Sequence, residues 1–169
     1  MDPHKWLLSP FDCAALVYRD PTPARLAHTQ HAGYLDAVID DAAYNPSDHA
    51  HVLTRRARGV PFWFSLAVHG TRAYAESVEV TLEVARAGAA MVDAAPHLEL
   101  VMPPTLSVLA FRRIGWDQAD YDAWSSQLID EGVGLVLPTQ VDGSPALRFC
   151  IVNPRTTVDD LGMILDRLA

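Results

Sequence analysis

The thirteen Lys and Arg residues of this 169-residue chain divide into twelve arginines and one lysine, and that lysine stands in the run Asp2-Pro3-His4-Lys5-Trp6. A primary amine preceded by an imidazole and followed by Trp6, Leu7 and Leu8 is expected to be poorly solvated. Desolvation disfavours the ammonium form and leaves the neutral amine, the species that condenses with an aldehyde to give an imine. The plain alternative for Lys5 is a solvated surface lysine near a chain end. Three other groups of residues can do chemistry. His28-x-x-His31 and His49-x-His51 have the spacing of metal-ligand pairs, but no cysteine or carboxylate at a supporting spacing backs them, so solvated loop histidines are expected; the alternative is that His31 and its neighbours line an active-site entrance. Arg55-Arg56-x-Arg58 reads either as a receptor for a phosphate or substrate carboxylate or as a set of partners for acidic neighbours. Arg148 alternates with Leu147, Phe149 and Ile151, so it points away from their core face, toward a substrate carboxylate or into a structural ion pair.

Bulk properties narrow the partners. The formal charge of −8 argues against a nucleic acid or an anionic membrane surface. There is no apolar run long enough to span a bilayer and no basic start leading into an apolar stretch, so neither a membrane helix nor a signal peptide is expected. Cys13 and Cys150 are far apart and read as buried thiols in a reducing cytoplasm.

The elements that must position these residues follow from periodicity and punctuation. Residues 1–12 form a shaped loop around two prolines, and 13–18 read as a buried strand. Residues 20–59 show no strong period and read as a long, partly mobile connection. Residues 60–70 are nearly all apolar and suggest a buried helix opened by Pro61. From Thr71 the positions Tyr74, Val78, Leu82, Ala85, Ala89 and Val92 mark the inner face of a helix. Strands are expected at 98–102, 106–112, 133–137 (ended by Pro138) and 147–152. Asp117 with Asp120 opens a helix that ends before Gly132, and Thr157 with Asp160 opens a last one whose inner face is Leu161, Ile164, Leu165 and Leu168. Residues 71–169 therefore make an α+β unit, with helices on one face of a mainly antiparallel sheet. Residues 1–70 do not close into a domain by themselves.

Pro3-His4-Lys5-Trp6 followed by Phe11-Asp12-Cys13 resembles the signature of the group of pyridoxal-phosphate-dependent amino-acid decarboxylases that act on aromatic L-amino acids, histidine and glutamate. The resemblance continues through Tyr34-Leu35, 29 positions beyond Lys5, Thr54-Arg55-Arg56-Ala57-Arg58 with Trp63 and Gly70, Leu147-Arg148-Phe149-Cys150, and Asn153-Pro154-Arg155-Thr156-Thr157. It covers essentially the whole chain; the lysine motif is its specific part. It implies that Lys5 forms the Schiff base with pyridoxal 5'-phosphate, that His4 lies beside the cofactor near its phosphate, and that Tyr34, on a mobile loop, returns a proton to Cα after carbon dioxide leaves. It also implies a homodimer and a fold type I (aminotransferase-like) architecture in part, α/β passing to α+β. Residues 1–70 would be the end of the large cofactor domain with its catalytic loop, and 71–169 the small C-terminal domain. Two departures stand out. The family's chains are much longer, and the preceding part carries the phosphate loop, the ring stacked on the cofactor and the carboxylate facing the pyridine nitrogen, so the chain reads as a fragment, inactive alone. Asp2 stands where many animal members have Asn. The alternatives are another fold type I enzyme, such as an aminotransferase, or an inactive remnant or interaction domain.

Overall fold

A computed structural model describes residues 1–30, 33 and 44–169. These residues form two compact units, one of Met1–His4 and Leu8–Ser65, the other of Lys5–Leu7 and Leu66–Ala169. No helix among the described residues is long and apolar enough to cross a membrane.

In the first unit the backbone is tied locally. The Met1 amine donates to the Ala15 carbonyl at 3.1 Å, and Ala15 N–H donates to the Met1 carbonyl at 2.8 Å. The stretch expected as a strand at 13–18 runs between these contacts without a neighbouring strand, and Leu16 and Val17 are 76% and 86% exposed. An apolar run records a wish to be buried; it does not supply the ladder partner that makes a strand. The connection at 20–59 holds more order than its lack of period suggests. Helix α1 (Thr22–His28) begins behind Pro21, and a 3-10 turn (Pro46–His49) is capped by the Asn45 side chain, which accepts from Ser47 N–H. Arg25 and the buried Asp48 form an ion pair at 3.3 Å between the two.

Helix α2 (Gly59–Ala94) starts two residues before Pro61 and is interrupted at Gly70, whose φ of 75° an L side chain rarely adopts. Its first turns are not buried as expected. Val60, Trp63, Phe64 and Val68 are all more than half exposed, because the described residues provide nothing for this face to pack on.

The second unit has a closed core. Strands β1 (Leu98–Leu100), β2 (Val108–Arg113), β3 (Pro138–Val141) and β4 (Ser144–Cys150) form an antiparallel sheet in the order β1-β2-β4-β3. Helix α3 (Gln118–Asp130) is opened by a capping box. Asp117 accepts from Ala119 N–H and Asp120 N–H at 2.8 and 3.2 Å, and Asp120 accepts from Asp117 N–H at 2.9 Å. Helix α4 (Val158–Leu165) repeats the device with Thr157 and Asp160. Such caps satisfy donors that a helix start leaves orphaned. Ala85, Ala89 and Val92 of α2 meet Leu109, Phe111, Leu147 and Phe149 of the sheet and Leu161, Leu165 and Leu168 at the C-terminus in one buried cluster.

Two expectations fail here. Residues 133–137 are not a strand; Pro138 opens β3 instead of ending a strand before it. Proline lacks the N–H a central strand needs but is tolerated as the first residue of an edge strand, and β3 is at the edge. Cys150 is exposed while Cys13 is buried. Cys150 sits opposite Val108 on the outer face of the sheet, where alternation puts every second residue of β4.

Candidate cofactor-binding site

Lys5 is exposed, which corrects the expectation of a desolvated amine. Its apolar neighbours do not cover it. Trp6 turns away to make a specific contact: its indole N–H donates to Thr81 Oγ1 of α2 at 2.9 Å. Thr81 is 1% exposed, and its hydroxyl donates in turn to the Val78 carbonyl at 2.7 Å. Lys5, Trp6 and Thr81 all belong to the second unit.

His4 belongs to the first unit. Its Nδ1 lies 2.7 Å from the Cys13 carbonyl oxygen, with Cys13 N–H farther off at 3.4 Å. At 2.7 Å the contact to the carbonyl fits Nδ1–H as the donor, and Nε2 lies outside it. Phe11 stands edge-on to the ring, with centroids 4.9 Å apart. The next residue, Asp12, accepts from Arg58 Nε at 2.8 Å. That hydrogen bond, aided by the nearby charge of Arg56, holds the Asp12 carboxyl below the usual carboxylate range.

Arg55, Arg56 and Arg58 line a cleft of about 870 Å³ in the first unit, together with Asn45, Ser47 and Thr54. Arg58 takes the acidic-partner role; Arg55 and Arg56 form no ion pair among the described residues. Arg148 does point away from the core, as its alternation requires. It is exposed between the buried Leu147 and Phe149 and lines a groove of about 280 Å³ with Thr156 and Asp160. No ion pair holds it among the described residues. Tyr34, Leu35 and His31 lie outside the described residues. His49 stacks on Tyr44 at 5.4 Å, and no metal-binding group of three or more His, Cys, Asp or Glu occurs among the described residues.

Two contacts escaped sequence reasoning: Asp12 with Arg58, 46 positions apart, and Trp6 with Thr81, 75 apart. The one available signal was general: a partly buried indole N–H seeks an acceptor.

The donor set fits an aldehyde cofactor. It has one side-chain amine, exposed, next in sequence to an imidazole whose orientation a backbone carbonyl fixes. The model of the pyridoxal-dependent decarboxylase conserved domain matches residues 1–114, starting at this motif. The chain therefore belongs to the pyridoxal-dependent decarboxylase family. It is 31% identical over 177 residues to an L-2,4-diaminobutyrate decarboxylase of Rhizobium meliloti, covering 99% of this chain and 35% of that protein. It is 24% identical over 177 residues to an aromatic-L-amino-acid decarboxylase of Bacillus atrophaeus, covering 99% of this chain and 37% of that one. The crystal structure of Oryza sativa TDC with PLP and tryptamine superposes with a TM-score of 0.82 at 21% identity, covering 99% of this chain and 38% of that chain. The chain thus spans little more than a third of the length of these relatives. The expected family, the partial fold type I architecture and pyridoxal phosphate as the family's cofactor are borne out.

Proposed function

We propose that the complete protein removes the carboxylate of an L-amino acid as carbon dioxide and releases the amine, with pyridoxal phosphate attached at Lys5. The observation that carries this reading is the family match over residues 1–114, which includes the lysine motif. Bound pyridoxal phosphate supplies the electron sink that makes loss of carbon dioxide from Cα feasible. The chain's own residues do the rest. Lys5 Nζ would hold the cofactor through its aldehyde carbon. His4, its ring fixed through Nδ1, offers Nε2 to the cofactor on the phosphate side. Arg55 and Arg56, which form no ion pair among the described residues, attract anionic groups to the cleft. Tyr34 gives its phenolic proton to Cα once carbon dioxide has left, and its loop excludes water while it does so. Residues 1–70 end the large cofactor domain and 71–169 form the small C-terminal domain. The enzyme works in the cytoplasm as a homodimer with the site at the interface, and residues 1–169 alone are inactive.

The test is reduction of the complete enzyme with borohydride, followed by peptide mass spectrometry. The pyridoxyl group is expected on the peptide containing Lys5. A pyridoxyl group elsewhere in the complete enzyme and none on the Lys5 peptide refutes the assignment.

A further inference from the structure

We infer that Thr81 is a positioning residue for the cofactor lysine, acting through Trp6. The inference rests on the proposed attachment of pyridoxal phosphate at Lys5 and adds to it a residue far outside the motif. The Thr81 hydroxyl donates its proton to the Val78 carbonyl at 2.7 Å, inside α2. With the proton committed there, an oxygen lone pair faces the incoming indole, and Trp6 N–H takes it at 2.9 Å. Thr81 as a whole is 1% exposed, so water does not compete for this bond. The acceptor sits on a helix whose following turns, Val84, Ala85, Ala89 and Val92, are part of the buried core. Trp6 is the residue after Lys5 in an otherwise turn-and-loop segment, and fixing its ring fixes the backbone from which the Lys5 side chain springs. An amine on a four-carbon stem has wide rotational freedom. Anchoring its neighbour to a rigid helix narrows the directions in which Nζ meets the aldehyde.

The complete enzyme offers an internal reference for the test. Lys5 is the only lysine of residues 1–169, and amines elsewhere in the complete enzyme take the label according to their general reactivity. The complete enzyme is incubated with pyridoxal phosphate and trapped with borohydride, and the ratio of label on Lys5 to label on its other amines is measured. Thr81→Val is expected to lower that ratio by about tenfold, the effect of one net hydrogen bond, and Thr81→Ser to restore it. Trp6→Phe, which leaves the helix untouched, is expected to lower the ratio as Thr81→Val does, and the double substitution to lower it no further, because both remove one link. Should Thr81→Val fail to fold, Trp6→Phe alone decides. A wild-type ratio in folded Thr81→Val or in Trp6→Phe, or additive losses in the double variant, overturns the inference and leaves the Lys5 assignment standing. Absence of any Lys5 label in the wild-type complete enzyme overturns the assignment and this inference together.

Discussion

The two compact units differ in what holds them: the second has a closed apolar core and, among the described residues, the first does not. In the second, Leu109, Phe111, Leu147 and Ala146 have no exposure at all, and both helices that follow β2 and β4 begin with reciprocal caps. In the first, Leu16, Val17, Leu26, Trp63 and Phe64 are exposed, and order comes from small polar ties such as His4 with Cys13, Asn45 with Ser47 and Arg25 with Asp48. Yet His4, Tyr34 and the three clustered arginines fall in the range of the first. Stability and proposed chemistry are drawn from different stretches of sequence. Lys5–Leu7 is the exception: by contacts it belongs to the second unit, and Trp6 is what attaches it.

The largest expected effect tests the chemical side of this contrast. In the complete enzyme, Tyr34→Phe keeps the ring and removes the proton donor. Amine formation should fall by about 10²–10⁴-fold, as for a lost general acid, while cofactor attachment and substrate affinity stay near wild type. The substrate should then divert to an aldehyde, formed either with dioxygen as the oxidant or by decarboxylation-linked transamination that leaves the amino group on the cofactor, measurable by chromatography. Amine formation at the original rate would make Tyr34 an ordinary loop residue.

Stability should respond the other way. Phe111 is fully buried and packs against Phe149 with centroids 5.0 Å apart. Phe111→Ala should cost about 3–5 kcal/mol in urea unfolding of residues 1–169, through lost burial and the cavity left behind. Phe64→Ala, at a position 62% exposed, should stay within about 0.5 kcal/mol. Equal losses at the two positions would erase the distinction between the units.

Gly88 sharpens the same contrast on a finer scale. A Cβ there would meet Leu161 Cδ2 at 2.6 Å and Leu109 Cδ2 at 3.0 Å, so α2 approaches both α4 and the sheet at this point. Gly88→Ala gains up to about 1 kcal/mol in helix propensity, whereas overpacking a closed core costs about 1–3 kcal/mol. Crowding should win and the melting temperature should drop. A rise would mean that the two leucine side chains swing aside without cost.

What the sequence discloses follows the same division. The second unit is written in local signals, namely helical spacing from Tyr74 to Val92 and the pairs Asp117/Asp120 and Thr157/Asp160, and these translate directly into α2, α3 and α4. Its one misplaced strand arose from reading Pro138 as a stop. The better signal was Asp142-Gly143, a two-residue hairpin turn with φ of 52° and 73°, which sets the β3–β4 register. In the first unit a run of apolar residues was read as burial, but burial needs a second surface, and nothing local says where that surface is. The candidate lysine stands out through its motif, whose resemblance implies imine chemistry; residue type alone leaves a solvated surface lysine open. Its solvent exposure and its link to Thr81 were not legible, because a contact spanning 75 positions leaves no periodic trace.

The smallest expected effect concerns the tie between the loop after Lys5 and the arginine run. Asp12 and Arg58 are joined at 2.8 Å, with both side chains nearly half exposed. Solvent and salt screen such a pair, so its contribution is modest. Its pH dependence has a definite sign. The Asp12 carboxyl titrates below its usual range because Arg58 donates to its ionised form. The folded state therefore holds this proton more weakly than the unfolded chain does. The pair contributes fully above the ordinary carboxylate pKa of about 3.9 and is lost as pH falls through the lower folded value. Asp12→Asn keeps the shape and an acceptor for Arg58 but removes the charge. Amide exchange of residues 9–15 should accelerate slightly in this variant at neutral pH. The difference from wild type should shrink in 1 M salt and vanish in acid, where the wild-type carboxyl is itself protonated. A difference that survives both treatments would show that Asp12 holds the loop by its shape and hydrogen bonding, and that its charge is incidental.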